Sequence, residues 1–215
     1  MAAWGGREAT LGVSPIAAGC EGWRGGEAWV LDMAPSVVAR GKVHVAARRG
    51  EGIPEGWGLD KMGRATEVAA EVLAGGTMLP VGGYKGSALA VWMDVFSGVV
   101  AGSGFGGGVV GPYDMKGEAG VAHMVFVVRR DVFCGDEEWR GRMQKVYENV
   151  VGGEKAEGVE RIWFPGEKEM VEERRREIEG IPFAEVEVAE LDKEADRAGA
   201  PRLETAKEKF GDFVE

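Results

Sequence analysis

Between Lys85 and Ala101 the apolar residues Ala88, Leu89, Val91, Trp92, Val95, Phe96, Val99 and Val100 recur at spacings of three and four. That period matches the turn of an α-helix and predicts one with a broad buried face. Apolar residues elsewhere gather in shorter runs. "EAWVLDM" (27–33) predicts a strand ending in a carboxylate, and "AHMVFVV" (122–128) predicts a second, buried strand. "PSVVARGKVHVAARRG" (35–50) predicts a helix with Pro35 in its first turn and Arg48, Arg49 and Gly50 at its end. "EVAAEVLAGG" (67–76) predicts a short helix and "DEEWRGRMQKVYENV" (136–150) an amphipathic one, while "EKEMVEERRREIEG" (167–180) and "AEVEVAELDKEADRAG" (184–199) predict two charged helices. The opening "MAAWGGREATLGVSPIAAG" is broken by Gly5, Gly6, Gly12, Pro15 and Gly19 and reads as loop, and 51–66 reads as an irregular connection. Alternating strands and helices imply an α/β fold with a mixed sheet over residues 1–150, followed by a helical segment over 151–215.

Composition narrows the function classes. Of the 215 residues, 45% are hydrophobic and 29% charged, which is enough for a real core. A net charge of -10 argues against nucleic acid as a partner, because phosphates need a basic surface. The cysteines Cys20 and Cys134 stand without CxxC or Cys/His ligand spacing, so no metal site is expected and both read as buried thiols in a reducing compartment. The first twenty residues carry no secretory leader pattern, and the best apolar run, Leu89 to Val100, contains Asp94. A soluble, cytoplasmic protein with no membrane span is therefore expected.

The candidate chemistry centres on "LPVGGYKGSALAVWMDVFSGVVAGSGFGGG" (79–108). A lysine in the first turn of a helix opposes the helix dipole by about 0.3–1 kcal/mol unless an anion answers it. Gly82 and Gly83 would let a phosphate or carboxylate approach free N–H groups, with Lys85 supplying a point charge. A lysine that merely reaches out to solvent satisfies the same pattern, and the residues leave both options open. Asp94 lies nine residues on, at the opposite helix face, and reads as a packed or hydrogen-bonded carboxylate. Gly102, Gly104 and Gly107 spell a dinucleotide fingerprint, but a helix precedes them and Pro112 follows, so they read as a turn at a helix end. Asp32 closes its strand just before the predicted helix, where it could hold a ligand's hydroxyls or cap that helix. Pro165, Gly166 and Glu167 read, on their own, as a helix start.

Taken together, "LGVSPIA" (11–17), "VLDMAPSVVARGKV" (30–43), "IPEGWGLDKMGRAT" (53–66), residues 79–106 and "FPGE" (164–167) follow one order. In that order the chain resembles the malate/L-lactate dehydrogenase family over most of residues 4–182. These are NAD(P)-dependent 2-hydroxyacid or imine-acid oxidoreductases that include ureidoglycolate and sulfolactate dehydrogenases. The resemblance implies a non-Rossmann dinucleotide-binding domain, a homodimer, NAD or NADP as cofactor, and a small 2-hydroxy/2-oxo acid as substrate. It implies that Asp32, Met33 and Ala34 line the dinucleotide, that Lys85 contacts it, and that Pro165, Gly166 and Glu167 form another wall.

In the family the acid/base histidine and the carboxylate-binding arginine lie in a segment upstream of the block that begins here at Met1, so no catalytic residue is assigned. His44 and His123 do not match that position and are expected to be structural. Pro35 stands where family members usually carry threonine, removing a hydroxyl and an N–H beside the cofactor. The C-terminal helices would lack their family packing partner, leaving Ile178, Ile181 and Phe183 exposed. Two functions follow: reversible hydride transfer between NAD(P) and a 2-hydroxy acid, or a truncated, non-catalytic NAD(P)-binding or dimerisation module.

Overall fold

The computed structural model describes residues 1–12, 14–23, 27–111 and 117–203, and the chain divides after Pro165 into two units. In the first unit, β1 (Ile16–Glu21) and β2 (Ala28–Met33) pair antiparallel, from Ile16 opposite Met33 to Glu21 opposite Ala28. β1 falls in the stretch expected to be loop. Its Ala17, Ala18 and Gly19 have little intrinsic strand preference, so pairing with β2 creates the strand. Cys20, within β1, and Cys134 are half-buried rather than buried. Burial, and then the neighbouring Glu21 carboxylate, push the Cys20 thiol above its ordinary range.

The helix expected from Pro35 begins only at Arg40: α1 spans Arg40–Arg49 and ends, as expected, with Gly50 in the left-handed region at φ 68°. Pro35 is fully buried, and Ser36 forms an antiparallel bridge to Pro80. The reason is competition for backbone groups. The Pro35 carbonyl accepts the Val81 N–H at 2.8 Å and the Val37 N–H reaches the Leu79 carbonyl at 2.9 Å, which excludes both from a helical ladder.

The short elements β3 (Gly58–Leu59), α2 (Ala69–Leu73) and β4 (Thr77–Met78) follow, with β3 and β4 antiparallel. The core gathers Val43 and Ala46 of α1, Ala69 and Val72 of α2, and Val38, Ile53 and Met78. The connection between β3 and α2 is ordered by Asp60, whose carboxylate accepts the backbone N–H groups of Met62 at 2.8 Å and Arg64 at 2.9 Å. These bonds hold its carboxyl below the usual carboxylate range.

The strongly periodic run forms α3 (Tyr84–Asp94), which continues as a π-helical turn over Val95–Val100. The expected buried face needs correction: Ala88, Val91, Trp92, Val95, Val99 and Val100 are exposed, and the buried side is Gly86, Ser87, Ala90, Met93 and Asp94. Small residues on that side let the Val81 carbonyl and the Trp4 N–H come close to the helix. Farther along, α4 (Asp136–Val151) carries three acids in its first turn, where the dipole favours them. Trp23 stacks on Tyr147 of α4 with centroids 4.4 Å apart and meets Phe164 edge-on at 4.8 Å, so aromatic packing joins the β1–β2 hairpin, α4 and the approach to Pro165. Glu21 adds ion pairs to Arg130 at 2.9 Å and Arg140 at 3.3 Å.

Two sheet expectations need correction. The described strands make two separate antiparallel pairs, not one mixed sheet, although helices with small sheets remain the architecture. Residues 122–128 form no strand; Val125 is 79% and Val127 87% exposed. Apolar sequence alone does not make a strand without a neighbouring backbone to pair with.

The second unit contains α5 (Glu167–Glu179) and α6 (Glu185–Ala198), both amphipathic and largely solvated. Arg175 pairs with Glu172 and with Glu179 along α5, and Ile178, Ile181 and Phe183 are exposed, as expected. Among the described residues no helix is long and apolar enough to cross a membrane.

Candidate functional site

Two consecutive glycines with positive φ, Gly82 at 61° and Gly83 at 63°, reverse the chain into the N-terminus of α3. The reversal folds the Val81 carbonyl onto the first helical turn, where a Cβ on Gly86 would lie only 1.6 Å from that oxygen. A residue other than glycine at position 86 would break this approach. Lys85 is the second residue of the helix and is exposed. It makes no ion pair among the described residues, and its Nζ stands 6.0 Å from the Tyr84 ring centroid.

Beside this loop lies the end of β2. Asp32 pairs in register with Ala17 and is exposed, whereas Met33 and Ala34 are half-buried. Immediately after them, the bonds from Val81 to Pro35 and from Val37 to Leu79 tie the two segments together. Asp32 does not cap α1, whose N-cap is Ala39 without a side-chain bond. Pro165 also reaches β2, since the Val30 N–H donates to its carbonyl at 3.4 Å. Backbone bonds thus bring the loop before Lys85 to residues 35–37, just past the end of β2, and Pro165 to Val30 within β2. In the second unit, Gly166 at φ 87° is the N-cap of α5, and Glu167 is its buried first residue.

At the far end of α3, buried Asp94 accepts the Gly106 N–H at 2.6 Å and ties the glycine loop back to the helix. The loop follows a π-helical turn rather than a strand, and Pro112 lies outside the described residues. His44 on α1 and His123 are both exposed. No cluster of three metal-ligating side chains occurs among the described residues.

Sequence reasoning missed the contribution of residues 1–4. The Ala2 N–H bonds the Met78 carbonyl at 3.2 Å and the Trp4 N–H bonds Ser87 Oγ at 2.9 Å, which lays this stretch along β4 and the lysine loop. No local signal announces a bond across a separation of 83 residues. Chemically the ensemble offers an uncompensated cation, an exposed carboxylate, and at Gly82 an open surface where an added Cβ meets nothing within 4 Å. Such a set suits an anionic ligand that also carries hydroxyls.

Comparison with known proteins gives a consistent picture. The family model for malate/L-lactate dehydrogenase matches residues 1–192. A malate dehydrogenase from Pyrococcus abyssi is 35% identical over 211 residues, covering 95% of this chain and 57% of that protein. A ureidoglycolate dehydrogenase (NAD(+)) from Escherichia coli strain K12 is 31% identical over 183 residues, covering 85% of this chain and 51% of the relative. The solved structure of sulfolactate dehydrogenase from Methanocaldococcus jannaschii superposes with a TM-score of 0.78 at 31% identity, covering 93% of this chain and 56% of that one. The chain thus spans just over half the length of these relatives. Family match, fold and the order of the motif blocks agree: this chain belongs to the malate/L-lactate dehydrogenase family.

Proposed function

We propose that the chain carries the nicotinamide dinucleotide site of a 2-hydroxyacid dehydrogenase, serving reversible hydride transfer between NAD or NADP and a small 2-hydroxy/2-oxo acid. The observation that carries this is the backbone pairing of residues 35–37 with 79–81, which sets the end of β2 beside the loop that leads to Lys85. The Lys85 ammonium would hold a phosphate oxygen, with the open face of Gly82 allowing close approach. Asp32 would accept hydrogen bonds from ribose hydroxyls, and Met33 and Ala34 would supply apolar cover. Pro165, whose carbonyl accepts the Val30 N–H of β2, would complete the lining within the first unit. A bound nicotinamide dinucleotide supplies the hydride acceptor or donor for the reaction. Pro35 offers no N–H or hydroxyl, but its carbonyl is already engaged by Val81, so the loop is held without them. A non-Rossmann site is supported by the glycine triplet, which follows a π-helical turn instead of a strand. The same proposal includes a homodimeric, cytoplasmic protein, for which the net charge of -10 and the exposed apolar residues are the support.

Titration of the chain with NADH and NADPH, followed by dihydronicotinamide fluorescence, tests the site. Lys85→Ala should weaken binding roughly tenfold or more, the worth of one charge-assisted bond. Unchanged affinity in that variant would remove Lys85 from the site. The second reading, a non-catalytic NAD(P)-binding module, predicts cofactor binding without turnover. Oxidation of NADH in the presence of 2-oxo acids separates the two: turnover identifies an enzyme, and binding without turnover a module.

A further inference from the structure

Trp4 is an unusual tryptophan. The residue is 61% exposed, yet its backbone N–H is donated to Ser87 Oγ at 2.9 Å and Ala2, two residues before it, is fully buried. The six-membered ring lies against Gly83, where an added Cβ would come 3.2 Å from Trp4 Cζ3. Because Gly83 has φ 63°, a side chain is disfavoured there on conformational grounds too. One residue on, Tyr84 is 63% exposed, and the Lys85 ammonium follows. No aromatic partner for Trp4 occurs among the described residues. A large flat apolar surface thus lies against Gly83, at the rim of a loop that presents a cation with no ion pair among the described residues.

We infer that the Trp4 indole is a stacking platform for a planar heteroaromatic ring of the dinucleotide whose phosphate Lys85 holds. The inference rests on the dinucleotide-binding function proposed above and adds a contact to it. Indole is the largest π-surface among side chains, and stacking on a flat ring is tolerant of which ring is presented. Anchoring the backbone through Ser87 removes much of the ordering cost that a mobile surface tryptophan would incur on binding. Adenine and nicotinamide share this chemistry.

The test uses the intact chain titrated with NADH, read both by dihydronicotinamide emission and by energy transfer from tryptophan. Trp4→Ala should raise Kd roughly three- to tenfold, and Trp4→Phe, which keeps a flat ring, should recover most of that loss. Both variants retain the backbone N–H to Ser87, and melting curves matching the parent confirm that the site is intact. The chain has seven tryptophans, so the energy-transfer signal is assigned by its difference between the parent and Trp4→Phe. Separate titrations with AMP and nicotinamide mononucleotide identify the stacked ring as the one whose binding weakens in Trp4→Ala. Loss with neither mononucleotide would mean that Trp4 only covers Gly83, and would overturn the inference. If Trp4→Ala binds NADH like the parent while Lys85→Ala is weakened, the stacking role fails and the dinucleotide site stands. If the parent chain binds neither NADH nor NADPH, both fall together.

Discussion

A methyl group on residue 86 would sit 1.6 Å from the Val81 carbonyl oxygen, whereas on residue 41, also helical, it would meet nothing within 4 Å. Single atoms therefore decide the lysine loop. Gly86→Ala is expected to cost about 2 kcal/mol or more, because the clash is with backbone and cannot be relieved by a rotamer change. Gly41→Ala should instead stabilise α1 by roughly 0.5–1 kcal/mol, through reduced freedom of the unfolded chain. Urea denaturation of both variants checks the pair; equal effects would show that the contact with Val81 does not govern the loop. At this scale the sequence was informative about identity and weak about environment. Lys85, Asp32 and Asp94 were legible as candidates from spacing and resemblance, and Asp94 is the hydrogen-bonded carboxylate that helical geometry implied. The exposure of His44 and His123 was not legible, since an imidazole suits a core and a surface equally.

Elements whose hydrogen bonds are local were read with bounds close to those found. The helices α4, α5 and α6 lie within a residue of their expected bounds, because their backbone bonds close within four residues, whereas the apolar period of α3 located the helix but not its buried side. Elements that need a distant partner were read poorly, as with β1, the Pro35–Ser36 bridge and the unpaired run 122–128. The stability of α1 lies in its inner face. Val43→Ala, at a side chain with no exposed surface, should cost about 2 kcal/mol, while Ile178→Ala on the solvated α5 should stay within about 0.5 kcal/mol. Comparable losses at the two positions in urea denaturation would contradict the placement of the core around α1 and α2.

For the molecule as a whole, the apolar surface left in contact with water is the dominant property. Val125, Phe126, Val127 and Val128 are each more than 70% exposed in one continuous run, and Ile178 in the second unit is 87% exposed. Contiguous patches of this kind mark interaction surfaces or sites of self-association. The chain should enhance the fluorescence of a hydrophobic dye at native pH without denaturant, and Phe126→Ser should reduce that signal while leaving the melting temperature nearly unchanged. A parent chain that leaves the dye dark would show the run to be covered in solution.

Local periodicity settled the helices, because an α-helix satisfies its own backbone, and the motif order was enough to indicate the family. Composition set the acidic character, and the glycines around position 83 and the lysine two residues later marked the loop where chemistry is expected. Tertiary structure alone decided that residues 35–37 lie against 79–81, that Pro165 meets β2, and that Trp4 rests on Gly83. It also left the most strand-like apolar run without a partner. The physical reason is the same in each case: a backbone N–H or an apolar side chain needs a neighbour, and where that neighbour is remote in the chain no local pattern records it.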